Sequence, residues 1–175
     1  MMKHTIAWDK IPGWFDYPQV YDAAVERAED GHHFVEVGSH QGRSTAYLAL
    51  KVRKSGKKIQ IDACDIWTDH WDEVWRNNMS KVGVLGMIRP RHMLSVMAAR
   101  LYLDESLDFI FIDADHSYES VKEDIVAWYP KLKPGGVLSG HDYRSNHFPG
   151  VSLAVDEFFG GKARADGSCW VYHKE

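Results

Sequence analysis

With 175 residues, of which 45% are hydrophobic and 26% charged, the chain is predicted to form a single globular domain over residues 1–175. Its net charge of −4 argues against nucleic acid as the main partner, because a phosphate backbone binds a basic face. No apolar run approaches the roughly 20 residues of a membrane span, and residues 1–8 lack the apolar core of a signal peptide, so we expect a cytoplasmic protein without a membrane partner.

The first elements predicted are a helix, a buried strand and a second helix. Asp16 is a candidate N-cap for the first helix, and Gly31 ends it. A short apolar strand is predicted over 33–37, and the second helix begins near Arg43. This alternation of helices with short buried strands is typical of a mostly parallel sheet that is covered on both faces.

The middle of the chain continues the alternation with less regular elements. A strand over 58–65 is followed by a polar and aromatic helical stretch over 68–82. Pro90 makes a third strand over 87–93 irregular, because proline removes a hydrogen-bond donor from the strand. A short helix over 95–102 comes next.

The clearest strand is predicted over 107–113, where a nearly continuous apolar run indicates a central position in the sheet. Ser120 and Glu123 match a capping box for the helix that follows. Residues 133–136 then form a turn into a fifth strand over 137–140.

The last elements are a helix over 151–159 and a β-hairpin formed by 162–165 and 169–173. The predicted fold class is therefore α/β. It has a mostly parallel sheet, helices on both faces and an antiparallel hairpin at the C-terminal end.

Polar groups follow four of the predicted strands. The strand ends read Glu36-Val-Gly, Asp65-Ile-Trp, Asp113-Ala-Asp-His and His141-Asp-Tyr. In an open α/β sheet, ligands bind outside the carboxyl ends of the strands. We therefore expect these groups to meet in one crevice.

The most informative segment links the first strand to the second helix, with the spacing Glu36-x-Gly38-x-x-x-Gly42. A glycine turn lets backbone approach a ligand closely, and the helix start offers free N–H groups. The carboxylate favours a ligand with a positive group and hydroxyls, such as S-adenosylmethionine (SAM). The spacing does not fit the Gly-x-Gly-x-x-Gly pattern of dinucleotide binding. Predicted cofactor-binding residues here are Glu36, Gly38, Ser39, Gly42 and Ser44.

Further cofactor contacts are predicted at the second and third strand ends. Asp65 is placed to accept hydrogen bonds from both ribose hydroxyls, or it is a solvated loop residue. Ile66 and Trp67 are candidates to cover the adenine, although Trp67 could equally belong to the core. Ser95 is a candidate for the adenine edge, a role compatible with capping the next helix.

Three motifs in order resemble class I SAM-dependent methyltransferases. Residues 36–45, 112–119 and 134–143 match a small family with E-V-G-S-x-x-G-R-S-T, I-D-x-D-H-S-Y-E and P-G-G-x-x-x-G-H-D-Y patterns. The resemblance covers nearly the whole chain and extends to metal-dependent O-methyltransferases. It implies a Rossmann-like sheet, SAM as cofactor, and methylation of a small-molecule hydroxyl of sugar or phenolic type.

The resemblance also implies a divalent metal such as Mg²⁺. In those relatives, the aspartate ending the fourth strand and two adjacent residues ending the fifth bind the ion, which corresponds here to Asp113, His141 and Asp142. The histidine departs from the family's pattern, and imidazole suits Mn²⁺, Fe²⁺ or Zn²⁺ better than Mg²⁺. Either the metal differs, or His141 faces the acceptor as a base, or no metal is bound.

Asp113, His116 and His141 are the candidate catalytic residues, with either histidine as the base, because imidazole changes charge near neutral pH. Asp115 resembles a cofactor contact of the relatives, with helix capping as its alternative.

Candidates for the acceptor pocket are three aromatic or loop segments, namely 11–17, the helix with Trp71 and Trp75, and 143–149. With no large insertion, the pocket is open or completed by a second subunit of a homo-oligomer. Three alternatives to methyl transfer stay open: a different nucleotide-dependent enzyme such as an oxidoreductase, a non-catalytic SAM-binding module, and a His/Asp metallohydrolase.

Overall fold

The computed structural model describes residues 6–175, so most of the N-terminal segment assessed for a signal peptide lies outside the described residues. The strands are β1 His33–Val37, β2 Gln60–Asp65, β3 Ile88–His92, β4 Leu107–Ile112, β5 Leu132–Gly140, β6 Arg164–Asp166 and β7 Cys169–His173. The α-helices are α1 Pro18–Arg27, α2 Arg43–Ser55, α3 Trp71–Val82, α4 Ser95–Ala99, α5 Tyr118–Trp128 and α6 Pro149–Phe159. Within this described part, no helix combines the length and the apolar character needed to cross a membrane.

One seven-stranded sheet runs through the protein in the order β3-β2-β1-β4-β5-β7-β6. Pairing is parallel from β3 through β5 and antiparallel for β5–β7 and β6–β7. The predicted α/β class, with its parallel sheet and C-terminal hairpin, is confirmed. The predicted central position of β4 is also confirmed, since β4 lies between β1 and β5.

The two faces of the sheet carry separate cores. Phe34 of β1 packs with residues of α1, α2 and α3, whereas its neighbour Val35 packs with residues of α4, α5 and α6. This follows from the strand geometry, in which successive side chains point to opposite faces. Helices on both faces, as predicted, therefore close the domain.

Several local predictions need correction. The cap of α1 is Tyr17, which makes no side-chain cap bond, and Asp16 instead contacts residues far along the chain. The capping box is wrong, because α5 begins earlier, where the Ser117 side chain accepts from the backbone N–H of Ser120. Helix α1 ends at Arg27, before the expected glycine.

Element bounds also differ from the prediction elsewhere in the chain. The aromatic helix α3 begins at Trp71 rather than 68, and α4 ends at Ala99 rather than 102. Strand β5 starts at Leu132, so the expected turn over 133–136 belongs to an irregular part of the strand. Strand β3 holds Pro90 at the edge of the sheet, where a missing donor is tolerated.

Candidate functional site

The carboxyl ends of β1, β2, β4 and β5 open into one cavity of about 1420 Å³. Predicted site residues in its lining are Gly38, Ser39, Ser44, Asp65, Ile66, Ser95, Asp113, Asp115, His116, His141 and Asp142. Glu36, Gly42 and Trp67 are not among the lining residues. The volume exceeds the roughly 300–1,000 Å³ of most ligand pockets, which leaves room for two small molecules.

Glu36 lies beneath the glycine turn rather than in the cavity. It is 1% exposed, and its carboxylate accepts hydrogen bonds from Tyr21 Oη (2.6 Å), Ser39 Oγ (2.8 Å) and the Thr45 hydroxyl. Burial raises its pKa, against the opposing effect of these hydrogen bonds. The reason is strand parity, because Glu36 shares a face with Phe34 and therefore points under α1 and α2. Its carboxylate braces the turn instead of facing a ligand.

The two glycines of the turn are required by packing. Gly38 has φ +88°, and a Cβ there would overlap the carbonyl oxygen of Asp113 at the neighbouring strand end. Gly42 has φ +89°, and a Cβ would overlap Met79 and Trp75 of α3. The turn is thereby pressed between the tip of β4 and helix α3, and Gly38 lines the cavity.

Asp65 holds the outer side of the turn. Its Oδ2 accepts from the backbone N–H groups of Ser39 (2.8 Å) and His40 (2.7 Å), and its Oδ1 accepts from that of Trp67 (2.9 Å). A carboxylate has about four acceptor positions, so Asp65 retains capacity for a hydroxyl donor in the cavity.

Trp67 belongs to the core, so the expectation that it covers the adenine is not supported. It is 2% exposed, donates from Nε1 to the carbonyl of His40 (2.8 Å), and packs against Trp75 at a centroid distance of 5.1 Å. Its neighbour Ile66 is 50% exposed and does line the cavity. Of the two residues proposed to cover a base, only Ile66 is in position.

A second wall of the cavity comes from α4 and α5. Ser95 is the first residue of α4, not its cap, and its Oγ accepts from Trp128 Nε1 (2.9 Å). Asp124, which the sequence analysis missed, is 4% exposed yet lines this wall. The signal was present in the sequence, because Asp124 falls on the same helical face as the apolar residues Val121, Ile125 and Trp128.

Asp115 shapes the loop after β4. Its Oδ1 accepts from the backbone N–H of Ser117 (2.7 Å), and hydrogen bonding by Ser117 holds its pKa below the usual range. The helix cap itself is Ser117. Asp115 therefore supports the N-terminal turn of α5 while remaining at the cavity.

Two carboxylates and two imidazoles meet between the ends of β4 and β5. His116 Nε2 lies 3.3 Å from Asp113 Oδ1 and 3.0 Å from Asp142 Oδ2. His141 Nδ1 lies 3.1 Å from the same Asp142 oxygen and 3.6 Å from Asp113 Oδ1. Asp142 adopts φ +57°, an unusual backbone for a non-glycine residue, which is common at functional sites.

The N-terminal segment holds this cluster from outside. Asp16 Oδ1 contacts His141 Nε2 (3.0 Å) and accepts from Ser168 Oγ (2.9 Å). Tyr17 Oη donates to Asp113 Oδ2 (3.0 Å). No local pattern could indicate these contacts, because Asp16 and His141 are far apart in the chain.

The cluster is an arrangement of paired charges. Burial would raise the pKa of Asp113, but hydrogen bonds with His116 and His141 hold it below the usual range. The hydrogen bond with Asp113 raises the pKa of His116. For His141, burial is outweighed by the hydrogen bond with Asp113 and the charges of Asp113, Asp142 and Asp16, which raise its pKa to about 9.

The same residues fit a divalent metal ion. One ligand atom each from Asp113, His141 and Asp142 lies within 4.8 Å of the others. With Nε2 of His141 held by Asp16, its Nδ1 faces the two carboxylates, which is the usual arrangement of a ligating histidine with an outer carboxylate. A mixed oxygen and nitrogen set suits Mn²⁺, Fe²⁺ or Zn²⁺ better than Mg²⁺.

Beyond the cluster, the cavity is bordered by aromatic and basic side chains. Trp14 is 76% exposed at its edge, and Phe148 stacks on the His116 ring at 4.3 Å. Arg144 adopts φ +60° in the same lining. Two of the acceptor segments named above, 11–17 and 143–149, thus contribute to the cavity. Trp71 and Trp75 of α3 are absent from its lining.

Comparison with known proteins gives a family for this chain. A family model described as a methyltransferase domain matches residues 35–143, more than half of the chain. The chain is 27% identical over 118 residues to the uncharacterized protein y4gI of Sinorhizobium fredii, which covers 62% of this chain and 13% of that protein. It is 26% identical over 144 residues to the uncharacterized protein R132 of Acanthamoeba polyphaga mimivirus, and this match covers 77% of this chain and 64% of that protein. The chain thus spans less than two thirds of either relative.

Solved structures give the same fold. An O-methyltransferase from Bacillus cereus in complex with S-adenosylhomocysteine (SAH) superposes with a TM-score of 0.67 at 16% identity, covering 95% of this chain and 86% of that one. An rRNA methylase from Streptococcus thermophilus superposes with a TM-score of 0.68 at 15% identity, covering 93% of this chain and 99% of that one. At such identities the likeness concerns the fold alone. Together with the family match, it establishes that this chain belongs to the methyltransferase domain family and has the class I methyltransferase fold.

Proposed function

We propose that this domain transfers the methyl group of SAM to a hydroxyl group of a small molecule, of sugar or phenolic type. The observation that supports this most is the cluster of Asp113, His116, His141 and Asp142 in the same cavity as the glycine turn and Asp65. One cavity then has separate places for a methyl donor and for an acceptor with a proton to lose.

The donor would bind along the ends of β1 and β2. The remaining acceptor capacity of Asp65 suits ribose hydroxyls, and the backbone of Gly38 offers close approach. Acidic side chains at the cavity suit a sulfonium cation. The positive charge disappears from the donor on transfer, so these carboxylates favour SAM over its product, S-adenosylhomocysteine (SAH).

The reaction is an in-line displacement. An oxygen lone pair of the acceptor forms a bond to the methyl carbon, the carbon–sulfur bond breaks, and its electron pair stays on sulfur as SAH forms. Because the leaving group is already activated, the protein aligns the acceptor and removes its proton.

His116 is the better-placed base. Its side chain is 31% exposed against 7% for His141, whose Nε2 is already held by Asp16. Asp113 and Asp142 lie within 3.3 Å of His116 Nε2 and stabilise the imidazolium that forms. The proton of the acceptor hydroxyl therefore passes to His116 Nδ1, the ring nitrogen that does not face the two carboxylates.

Asp113, His141 and Asp142 would hold a divalent ion, with Asp16 orienting the histidine. Such an ion, when bound, supplies positive charge that lowers the pKa of an acceptor hydroxyl.

The experiment combines binding with turnover. SAH binding is measured by calorimetry, and methyl transfer from radiolabelled SAM is measured against sugars, catechols and other phenols, with EDTA or with Mn²⁺ or Mg²⁺. We expect SAH binding and transfer to at least one hydroxyl compound. Absence of SAH binding overturns the proposal, and binding without any transfer favours a non-catalytic SAM-binding module.

A variant separates the metal from the donor site. Asp142→Ala is expected to abolish turnover and leave SAH affinity within about twofold. The matched control is Asp104→Ala, an exposed aspartate paired with Lys131 away from the cavity, which should keep both properties. Full activity of the wild type in excess EDTA would remove the metal from the proposal.

A further inference from the structure

Asp124 is a buried carboxylate that the proposed methyl transfer does not use. It lies on α5 with 4% of its surface exposed, and that face of the helix is otherwise apolar. Within residues 6–175, no lysine, arginine or histidine nitrogen lies within 4.0 Å of its oxygens. A charged group in such a place costs stability unless hydrogen-bond donors surround it.

Among residues 6–175, the hydroxyl of Ser95 is the one side-chain donor to Asp124, and its hydrogen bond acts against burial, which raises the pKa of that carboxyl. Ser95 Oγ itself accepts from Trp128 Nε1 at 2.9 Å, which fixes the hydroxyl so that its proton points away from the indole. An ionised carboxylate can accept about four hydrogen bonds. Most of the acceptor capacity of Asp124 is therefore not used by this donor, and the residue lines the cavity wall.

The position of Asp124 indicates which part of a ligand would supply the missing donors. The reacting groups lie between β4 and β5, whereas Asp65 ends β2 on the other side of β1. A nucleoside whose ribose lies at Asp65 extends its base away from the reacting groups, towards the wall that begins after β3. That wall contains Leu94, Ser95 and, from α5, Asp124.

We propose that Asp124 accepts a hydrogen bond from the 6-amino group of the methyl donor's adenine and so selects adenine over hypoxanthine nucleosides. This inference rests on the proposed use of SAM. A carboxylate accepts from the two N–H bonds of the amino group, but hypoxanthine presents a carbonyl oxygen there, and two acceptors face each other without a proton. A site built to bind an N–H group discriminates strongly against an analogue that lacks it.

The test compares SAH with S-inosylhomocysteine, which carries a carbonyl oxygen in place of the amino group at position 6 of the base and a proton on N1. Wild-type protein should bind SAH about 100-fold more tightly, the equivalent of one charged hydrogen bond. Asp124→Asn should bring the two affinities within about threefold, because an amide can accept from the amino group or donate to the carbonyl. Circular dichroism of each variant checks that it is folded.

Glu123→Gln is the matched control. Glu123 precedes Asp124 on the same helix and lines the same cavity, but it is exposed. Its variant should keep the 100-fold preference. A preference reduced equally in both variants would attribute the effect to negative charge in general and overturn the contact with Asp124.

A third ligand, 5′-methylthioadenosine, distinguishes the adenine from the amino acid group of SAH. It retains the base but lacks the ammonium group, so Asp124→Asn should weaken its binding as much as that of SAH. A loss confined to SAH would place the ammonium at Asp124 and overturn the inference, as would an unchanged SAH preference in Asp124→Asn. Failure of wild-type protein to bind SAH at all would instead refute the proposed function.

Discussion

Asp62 and Asp124 are buried on the same side of the sheet, and the protein surrounds them differently. Asp62 of β2 is 0% exposed and accepts from Tyr102 Oη (2.8 Å), Arg91 Nε (2.9 Å) and His33, whose Nε2 lies at 3.2 Å. Burial would raise the pKa of Asp62, but hydrogen bonds from His33, Tyr102 and Arg91 hold it below the usual range. Its donors come entirely from the protein.

Asp124 is nearly as buried as Asp62, and the hydroxyl of Ser95 donates a hydrogen bond to its carboxylate. Burial raises the pKa of Asp124 to about 6, against the opposing effect of that hydrogen bond. The two residues share depth and side-chain chemistry, so the difference lies in the number of donors. A complete buried network is structural, whereas an incomplete one at a cavity wall is a candidate for completion by a ligand.

The largest effect is expected for Asp62→Ala, which breaks the complete network. Removing Asp62 leaves Arg91 without its counter-charge and Tyr102 without its buried acceptor. The free energy of unfolding should fall by about 3–5 kcal/mol, measured by urea denaturation. SAH affinity of the folded fraction should not change, because Asp62 does not line the cavity.

The control for this prediction is Asp104→Ala. Asp104 also pairs with a cation, Lys131, at 2.6 Å, but its side chain is 70% exposed. An exposed pair contributes at most about 1 kcal/mol. Equal losses in Asp62→Ala and Asp104→Ala would contradict the view that Asp62 completes a buried network.

Much of the frame around these residues could be predicted from the sequence. The apolar runs and the glycine turn placed β1 over His33–Val37 and the start of α2 at Arg43, as observed. Parallel strands then bring their carboxyl ends to one edge whatever the details of packing. The convergence of Asp65, Asp113 and Asp142 on one cavity follows from that geometry.

Other parts were open to a closer reading of the same pattern. Glu36 alternates with Phe34, so strand parity places it under the helices rather than in the cavity. Asp124 repeats with the apolar face of α5, and an acid on such a face is itself a signal. For both residues, the direction of the side chain rather than its place in a motif decides what surrounds it.

The remaining differences could not be inferred from local sequence. Asp16 was expected to cap a helix, yet it contacts His141 and Ser168, which only the tertiary fold brings near. Trp67 takes φ +26°, and this backbone turns its ring into the core beside Trp75. Both outcomes depend on long-range packing that overrides local preference.

A smaller effect, with a defined pH dependence, is expected for Asp124→Asn. The pKa of Asp124 is about 6 in the folded protein, against about 3.9 for an unfolded aspartate. The folded state therefore binds more protons between these values, and stability falls as the pH rises from about 4 to 6. Above pH 6 the cost stays constant at about 3 kcal/mol or less.

The asparagine variant lacks this cost and should therefore unfold at higher temperature than the wild type at pH 8. Its advantage should shrink towards pH 4, as measured by calorimetry across that range. Glu123→Gln should show no comparable trend, since Glu123 is exposed. A variant less stable than the wild type at pH 8 would show that Asp124 has further donors.

The smallest effects come from removing one hydroxyl donor from each aspartate. Tyr102→Phe and Ser95→Ala should each lower the free energy of unfolding by about 1.5 kcal/mol, the lower end of the range for a hydrogen bond to an ionised carboxylate. The two variants should differ more in the titration of the aspartate carboxyl, followed by carbon-13 NMR, than in their free energies of unfolding. Asp62 should remain ionised to acidic pH in Tyr102→Phe, because Arg91 and His33 still donate to it.

In Ser95→Ala, by contrast, the pKa of Asp124 should rise above its wild-type value of about 6, because burial then acts without the hydrogen bond that opposes it. Trp128 loses its acceptor in the same variant, so Ser95→Thr, which keeps a hydroxyl, should restore the wild-type titration. An unchanged Asp124 titration in Ser95→Ala would mean that another group already donates to this carboxylate. Asp124 would then resemble Asp62, and its unused acceptor positions would no longer point to a ligand.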